Sequence, residues 1–226
     1  MVVVLDTILN PDELATIRRQ LAGESWATGL SAGSQATLVK NNQQLPEGTP
    51  CLRDLRVLVL RALNRSPLLL SAALPNKILP PNFNRYTGST NAYGWHADNT
   101  LRNLPDGSWL RTDVSATLFL SDPGEYDGGE LRIEDTYGDQ RVKLAAGSLV
   151  LYPSGSIHEV APVTRGERLA CYFFMQSLVK DAGRRRQLYE MDLALIRLRA
   201  RLGDADPDLV RLTAQYNNLL REWTDC

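Results

Sequence analysis

Only two histidines occur in this 226-residue chain, and both fall in strand-like sequence. His96 stands with Asp98 in the tripeptide His96-Ala97-Asp98, near the end of NFNRYTGSTNAYGWHADN (residues 82–99). His158 lies about sixty residues later, in SGSIHEVAPV. Along a strand, residues i and i+2 face the same side. His96 and Asp98 would therefore point together and Ala97 away. Two imidazole nitrogens and one carboxylate oxygen on one face of a divalent cation are a donor set that suits Fe(II), with three positions left open. Glu159 would face away from its neighbour His158, which makes it a poor substitute for Asp98. The competing reading, two hydrogen-bonded structural histidines and a chance H-x-D, is left open by the histidines alone.

A third element of chemistry follows at the start of the strand-like run RLACYFFMQS. Arg168 stands ten residues after His158. On a strand antiparallel to its neighbour it can carry a guanidinium into the same cavity and clamp a carboxylate through two parallel hydrogen bonds. Arg165 is its rival, but Thr164-Arg165-Gly166 reads as a turn, which would leave Arg165 in solvent.

The elements that must position these groups can be read in outline. Met1 to Leu5 suggests a short strand. Asn10-Pro11-Asp12-Glu13 is a helix start, with Asn10 as cap, Pro11 at the first helical position and Glu13 able to reach back. Leu14, Ile17 and Leu21 continue it at helical spacing. Residues 23–48 are rich in Gly, Ser, Asn and Gln, with a few strand-like pieces. DLRVLVLRALN (residues 54–64) reads as a second helix, with Pro67 closing the segment. Residues 66–74 are apolar and fit helix or strand.

From about Leu79 onward, short β-prone runs alternate with turn residues. They fall at 81–87, 92–97, 112–121, 129–134, 140–144, 147–152, 157–162 and 167–176. Such a density of short strands indicates a sandwich or jelly-roll barrel, a double sheet that can enclose a metal site. Asp127-Gly128-Gly129 reads as a β-turn. After Ser177, Leu188, Met191, Leu195, Leu198 and Leu202 recur at helical spacing. Gly203 to Pro207 breaks the run, and Leu209, Leu212, Tyr216, Leu219 and Trp223 resume it, as in a helical hairpin. The stripes fit packing on the chain's own barrel or a homo-oligomer contact equally well. The fold expected is mostly β with flanking helices. Residues 1–77 are a supporting segment, 78–178 a double-stranded β-helix (jelly-roll, cupin-like) core, and 179–226 a C-terminal helical hairpin.

Bulk properties narrow the field. Net charge is −1 and no basic run stands out, which speaks against a nucleic-acid partner. Three cysteines, Cys51, Cys171 and Cys226, give no disulfide framework or zinc spacing. No apolar run is long enough to span a bilayer, and the N-terminus lacks the basic and small-residue marks of a signal peptide. A cytoplasmic protein with no membrane partner is the expectation.

NRYTGSTNAYGWHAD resembles the Y…G…Y-x-x-H-x-D segment of the prolyl 4-hydroxylase-like branch of Fe(II)/2-oxoglutarate dioxygenases. SATLFLSDPGEYDGGEL resembles that branch's strand, loop and GGE element. His158 with Arg168 ten residues on matches its second histidine and basic residue. With the tail RRQLYEMDLALIRLRARL, the chain resembles the bacterial PKHD-type hydroxylases. The core likeness covers about residues 78–178 and the subfamily likeness nearly the whole chain.

The resemblance implies His96, Asp98 and His158 as iron ligands and Arg168 as the anchor for the distal carboxylate of 2-oxoglutarate. It places Tyr86 and Tyr93 at two family tyrosines that bond or shape the cosubstrate pocket. Ser115 and Thr117, which share a strand face, are further candidate cosubstrate contacts. Fe(2+), 2-oxoglutarate and O2 are the implied cofactor and cosubstrates, with L-ascorbate as reductant. The implied reaction hydroxylates a small molecule or a peptide residue and yields succinate and CO2. Phe173 and Phe174 stand where some prolyl hydroxylases carry a Trp, which bears on the substrate pocket. Trp95, Asn99, Arg102, Trp109 and Arg111 flank the H-x-D loop as candidates for its mouth. The alternative is a non-catalytic cupin-like metal-binding module, which would have no use for Arg168 in the cavity.

Overall fold

The computed structural model describes residues 1–29, 38–136 and 138–225. The middle of the Gly- and Ser-rich stretch, residues 30–37, and Cys226 lie outside the described residues. β1 (Val3–Leu5) and α1 (Pro11–Ala22) are followed by three two-residue strands, β2 (Ala27–Thr28), β3 (Lys40–Asn41) and β4 (Gln43–Gln44). Two helices come next, α2 (Leu52–Asn64) and α3 (Pro67–Ala73). Strands then dominate: β5 (Pro75–Ile78), β6 (Asn82–Tyr86), β7 (Ala92–His96), β8 (Leu101–Asn103), β9 (Trp109–Arg111) and β10 (Val114–Phe119). They continue with β11 (Tyr126–Gly128), β12 (Leu131–Ile133), β13 (Gln140–Val142), β14 (Leu149–Pro153), β15 (His158–Val160), β16 (Val163–Gly166) and β17 (Arg168–Ser177). Two long helices, α4 (Ala182–Leu202) and α5 (Pro207–Trp223), follow.

A larger antiparallel sheet runs β1-β14-β10-β17-β6-β4-β2, with β5 also paired to β17. A smaller one runs β13-β12-β15-β7-β3, and two-stranded ribbons join β8 to β9 and β11 to β16. Strict alternation along β10 and β17 separates two cores. Val114, Ala116 and Leu118, with Leu169, Cys171, Phe173 and Met175, pack on Ile17, Leu55, Val59, Leu63 and Leu69 of the helices. The opposite face carries Phe119, Tyr86 and Tyr152 against Leu131, Ile133 and Val160 of the smaller sheet. The helices thus cover one face of the larger sheet, and the smaller sheet covers the other. This is the expected jelly-roll with its buttressing helices.

The sequence reading needs correction in several places. Pro67 does not close a segment; it opens α3, with Ser66 as the cap. Residues 66–74 are therefore largely helical. Thr164-Arg165-Gly166 is part of β16 rather than a turn, because Asp127 and Tyr126 pair with Arg165 and Gly166. Asp127-Gly128-Gly129 is likewise no simple turn. It ends β11 at a register shift, with both glycines at positive φ. Strands β5, β8, β9, β11 and β16 escaped the pattern reading, being short and without clean alternation.

Other expectations hold. Asn10 and Glu13 form a reciprocal capping box, Glu13 N–H to Asn10 Oδ1 at 2.9 Å and Asn10 N–H to Glu13 Oε2 at 3.0 Å. The C-terminal helices form a hairpin in which Leu188, Leu195 and Leu209 are buried. Arg185, at its start, is also buried and donates to the carbonyls of Val179 and Lys180. Cys51 and Cys171 are free thiols. Among the described residues no helix is long and apolar enough to cross a membrane.

Candidate active site

The inner faces of the two sheets enclose a cavity of about 170 Å³, many times the roughly 10–15 Å³ that one water needs on this measure. His96, Asp98, His158, Arg168, Tyr86, Tyr93, Ser115 and Thr117 all line it. The register explains the meeting. His96 ends β7 and pairs directly with His158 on β15, so the two rings lie side by side with centroids 4.3 Å apart. Asp98 lies two residues past His96, and His158 Nε2 is 3.7 Å from its Oδ2. One donor atom from each of the three residues falls within 4.8 Å of the others. Glu159 faces the other way and is bonded to Arg132.

Each donor is held in a form that can bind a cation. His96 Nδ1 is 2.7 Å from the Gly94 carbonyl, and His158 Nδ1 is 2.9 Å from that of Ser156. A carbonyl accepts only from N–H, so both rings carry hydrogen on Nδ1 and leave Nε2 as the atom that can bind a cation. Burial, reinforced by the neighbouring His158, pushes the His96 pKa down to about 4. The imidazole is thereby neutral at physiological pH, as ligation requires. Tyr93 stacks on the His96 ring at 3.7 Å, and Tyr152 meets His158 edge-on at 5.0 Å. Ser115 donates to Asp98 Oδ2 at 2.6 Å and is 2.8 Å from Ser154 Oγ. Its hydroxyl therefore orients the carboxylate.

Across the cavity, on the larger sheet, Arg168 is 1 % exposed. Its guanidinium lies between the rings of Tyr86 and Phe119, at 5.1 and 5.2 Å. Nε and one terminal nitrogen have no hydrogen-bond partner among the described residues. A desolvated cation with idle donors is costly, and a planar carboxylate would satisfy it bidentately. The backbone comes close here because Gly129 has no side chain. A Cβ at that position would sit 3.1 Å from Arg168 Cδ and 2.8 Å from Val163. Tyr86 OH receives the amide hydrogens of Asn42 at 3.0 Å and Asn84 at 3.3 Å, which leaves its own hydrogen to donate. The buried phenol of Tyr126 lies beside Arg168, without a well-formed hydrogen bond among the described residues.

Of the loop residues proposed for the mouth, Asn99 and Arg102 line the cavity. Trp95 and Trp109 are largely exposed, and Arg111 is held by both oxygens of Asp113. Phe174 lines the cavity, whereas Phe173 on the next position packs among the helices. Sequence reasoning missed Lys40, Asn42, Gln44, Asn84, Tyr152 and Tyr172. Asn84 was within reach of it, lying two residues before Tyr86 on the same strand face. Lys40 and Asn42 sit on or between two-residue strands that leave no periodic trace.

The profile of the 2OG-Fe(II) oxygenase superfamily matches residues 81–176, and that of the PKHD-type hydroxylase C-terminal domain matches residues 182–225. A PKHD-type hydroxylase of Nitrosomonas europaea is 59 % identical over the full length of both chains. One from Azoarcus sp. is 54 % identical, again over both full lengths. The crystal structure of a Pseudomonas putida prolyl-4-hydroxylase superposes with a TM-score of 0.51 at 24 % identity, covering 78 % of this chain and 92 % of that one. That likeness is one of fold.

Proposed function

The chain belongs to the PKHD-type hydroxylases of the 2OG-Fe(II) oxygenase superfamily, and on that premise we propose a role for each residue of its cavity. The family makes it an Fe(II)- and 2-oxoglutarate-dependent dioxygenase. In our reading His96, Asp98 and His158 hold Fe(II), and Arg168 binds the distal carboxylate of 2-oxoglutarate. The donor set fits the metal: two imidazoles held through Nδ1 and one oriented carboxylate. The far end fits a dicarboxylate, since Arg168 is buried and lacks an acceptor for two of its nitrogens. That idle guanidinium, facing three convergent donors across one cavity, is the observation that carries the assignment. It also disfavours a non-catalytic metal-binding module, which would bury an unpartnered cation to no purpose.

When bound, iron supplies the redox chemistry that couples oxidative decarboxylation of 2-oxoglutarate, to succinate and CO2, with hydroxylation of a substrate C–H bond. The protein's part is orientation and exclusion. Arg168 fixes one end of the cosubstrate and thereby aims its keto-acid end toward the histidines. Tyr86, its oxygen held by Asn42 and Asn84, donates its hydrogen beside that path. Thr117 and Tyr152 close the inner wall, and the Tyr93 ring shields His96. The substrate is an amino-acid residue, a peptide or a siderophore-like small molecule, and L-ascorbate is the reductant that restores iron after uncoupled turnover.

The test is an anaerobic titration of the purified chain with Fe(II) and then 2-oxoglutarate, followed by the visible charge-transfer band of the chelate. We expect a band that His96→Ala abolishes and that Arg168→Ala shifts to far higher 2-oxoglutarate. Absence of a band in the unaltered protein, with no succinate formed in air, would overturn the reading.

A further inference from the structure

The cavity holds more positive charge than the proposed chemistry uses. Its charged lining residues are Lys40, Asp98, Arg102 and Arg168, besides the two histidines. A divalent ion, Asp98, Arg168 and a doubly charged 2-oxoglutarate sum to zero formal charge. Lys40 and Arg102 remain. Neither forms an ion pair among the described residues, and Arg102 Nε is buried without a hydrogen-bond partner. Lys40 Nζ lies 5.7 Å from the centroid of the Tyr93 ring, the ring that stacks on His96. The Arg102 guanidinium lies 5.0 Å from the Phe174 ring. Aromatic faces hold a cation in place without neutralising it. Burial, then the nearness of the Arg102 guanidinium, lowers the Lys40 pKa to about 8, against an opposing pull from Asp98.

The cavity wall also carries a patch of carboxamides. Gln44 from β4 and Asn82 and Asn84 from β6 lie on neighbouring strands, beside Tyr172 and Phe174 of β17. Gln44 donates to the Tyr172 hydroxyl, and Asn82 Oδ1 accepts from Arg56 at 2.7 Å. The Oδ1 of Asn84 is buried with no donor among the described residues, whereas that of Asn42 lies against Gly29. The wall therefore offers the unmet Asn84 acceptor to an N–H donor, and the mouth offers two unpaired cations to an anion.

We propose that Lys40 and Arg102 form the specificity site for the substrate, binding an anionic group, carboxylate or phosphoryl, carried next to an amide. The proposal rests on the dioxygenase reading and deepens it by naming the substrate's chemical class. An anion at this pair occupies the mouth and leaves the inner cavity to the cosubstrate. The carbon to be hydroxylated then lies between the anionic group and the iron ligands. A substrate lacking the anion would leave two desolvated cations unpaired, so neutral analogues are rejected.

Calorimetric titration of the full chain, loaded with Fe(II) and 2-oxoglutarate under argon, tests this with matched probes. N-acetylglycine carries the carboxylate beside an amide, and N-acetylglycinamide is its neutral counterpart. We expect the acid to bind saturably and the neutral amide at least about tenfold more weakly. Lys40→Gln and Arg102→Gln should each weaken the acid by about tenfold or more while leaving 2-oxoglutarate affinity unchanged. Inorganic phosphate that binds more tightly than the acid, and loses affinity in the same two variants, assigns a phosphoryl group to the pair. The proposal is overturned if acid and amide bind alike, if both variants bind the acid as the unaltered chain does, or if no anion binds. Failure of the underlying reading shows differently, because 2-oxoglutarate itself then fails to bind.

Discussion

The inner end and the mouth of the same cavity are built on different kinds of element. The inner end stands on β6, β7, β10, β15 and β17, whose pairings run strand to strand through both sheets. On the larger sheet, the side chains that face away from the cavity are locked into the helix-covered core, Phe83 with Phe173 and Met175 among them. A one-residue slip of β17 would bury the wrong face, so Arg168 cannot drift. The mouth stands on β3, β4 and β8, which are two or three residues long, and on loops. Lys40 and Arg102 are set by local contacts with rings. In our reading, chemistry is placed where the core fixes register, and discrimination where sequence can vary at little cost to the fold.

The largest effect should come from the inner end. His158→Ala removes a donor outright and opens space beside the His96 ring. Alterations to groups that merely orient a metal ligand cost about 10–100-fold in affinity. Loss of a ligand should exceed that, seen as disappearance of the anaerobic chelate band. A band of normal strength in His158→Ala would break the comparison, because the inner end would then tolerate change as the mouth does.

Arg168→Met sharpens it by having effects of opposite sign. Replacing an unpartnered buried cation by an apolar side chain is expected to leave the unloaded protein as stable, or more stable by about 1–4 kcal/mol. The same change should remove about 2–5 kcal/mol of 2-oxoglutarate binding. In a thermal melt the variant should therefore keep or raise its Tm without ligand and lose the rise that 2-oxoglutarate produces. A fall in the unliganded Tm with ligand response intact would mean that Arg168 is structural. Ser115→Ala comes next. Without the 2.6 Å bond to Asp98, Fe(II) affinity should drop by about tenfold or more, with 2-oxoglutarate affinity at saturating iron unchanged. A change in 2-oxoglutarate affinity alone would restore Ser115 to the cosubstrate role suggested by its sequence position.

The inner end was legible in the sequence for the same reason that it is rigid. His96, His158 and Arg168 are residue types that a buried strand does not tolerate idly, and Asp98, just past the end of β7, was picked out by its H-x-D spacing. The resemblance then attached chemistry to them. The long helices were legible through their apolar spacing, and α1 through its cap. Lys40, Asn42 and Gln44 were not, because a two-residue strand has no period, and a lysine beside a polar stretch looks like any solvated lysine. Ser115 was found, but the pattern places its side chain in the cavity without saying that it meets Asp98. The Gly128–Gly129 bulge read as a turn because both conformations ask for glycine. Only the Pro162 carbonyl, 2.1 Å from where a Gly128 Cβ would lie, reveals a strand pairing there.

The smallest expected effect belongs to Arg165, three residues before Arg168. Its side chain is 60 % exposed and bonds both oxygens of Asp127, itself well exposed, at 2.7 and 2.9 Å. The bidentate geometry is better than anything Arg168 makes in the unliganded protein. Geometry alone would therefore rank Arg165 as the more important residue. Solvation reverses the ranking. Both partners of the Arg165 pair are already satisfied by water when apart, and salt screens what attraction remains. Arg165→Gln should accordingly leave Tm, Fe(II) affinity and 2-oxoglutarate affinity within measurement scatter. A clear loss of 2-oxoglutarate binding in this variant would show that β16 transmits strain across the β11 bulge to Gly129 and the Arg168 side chain packed on it. The cosubstrate end of the cavity would then be less insulated from the surface than its burial implies.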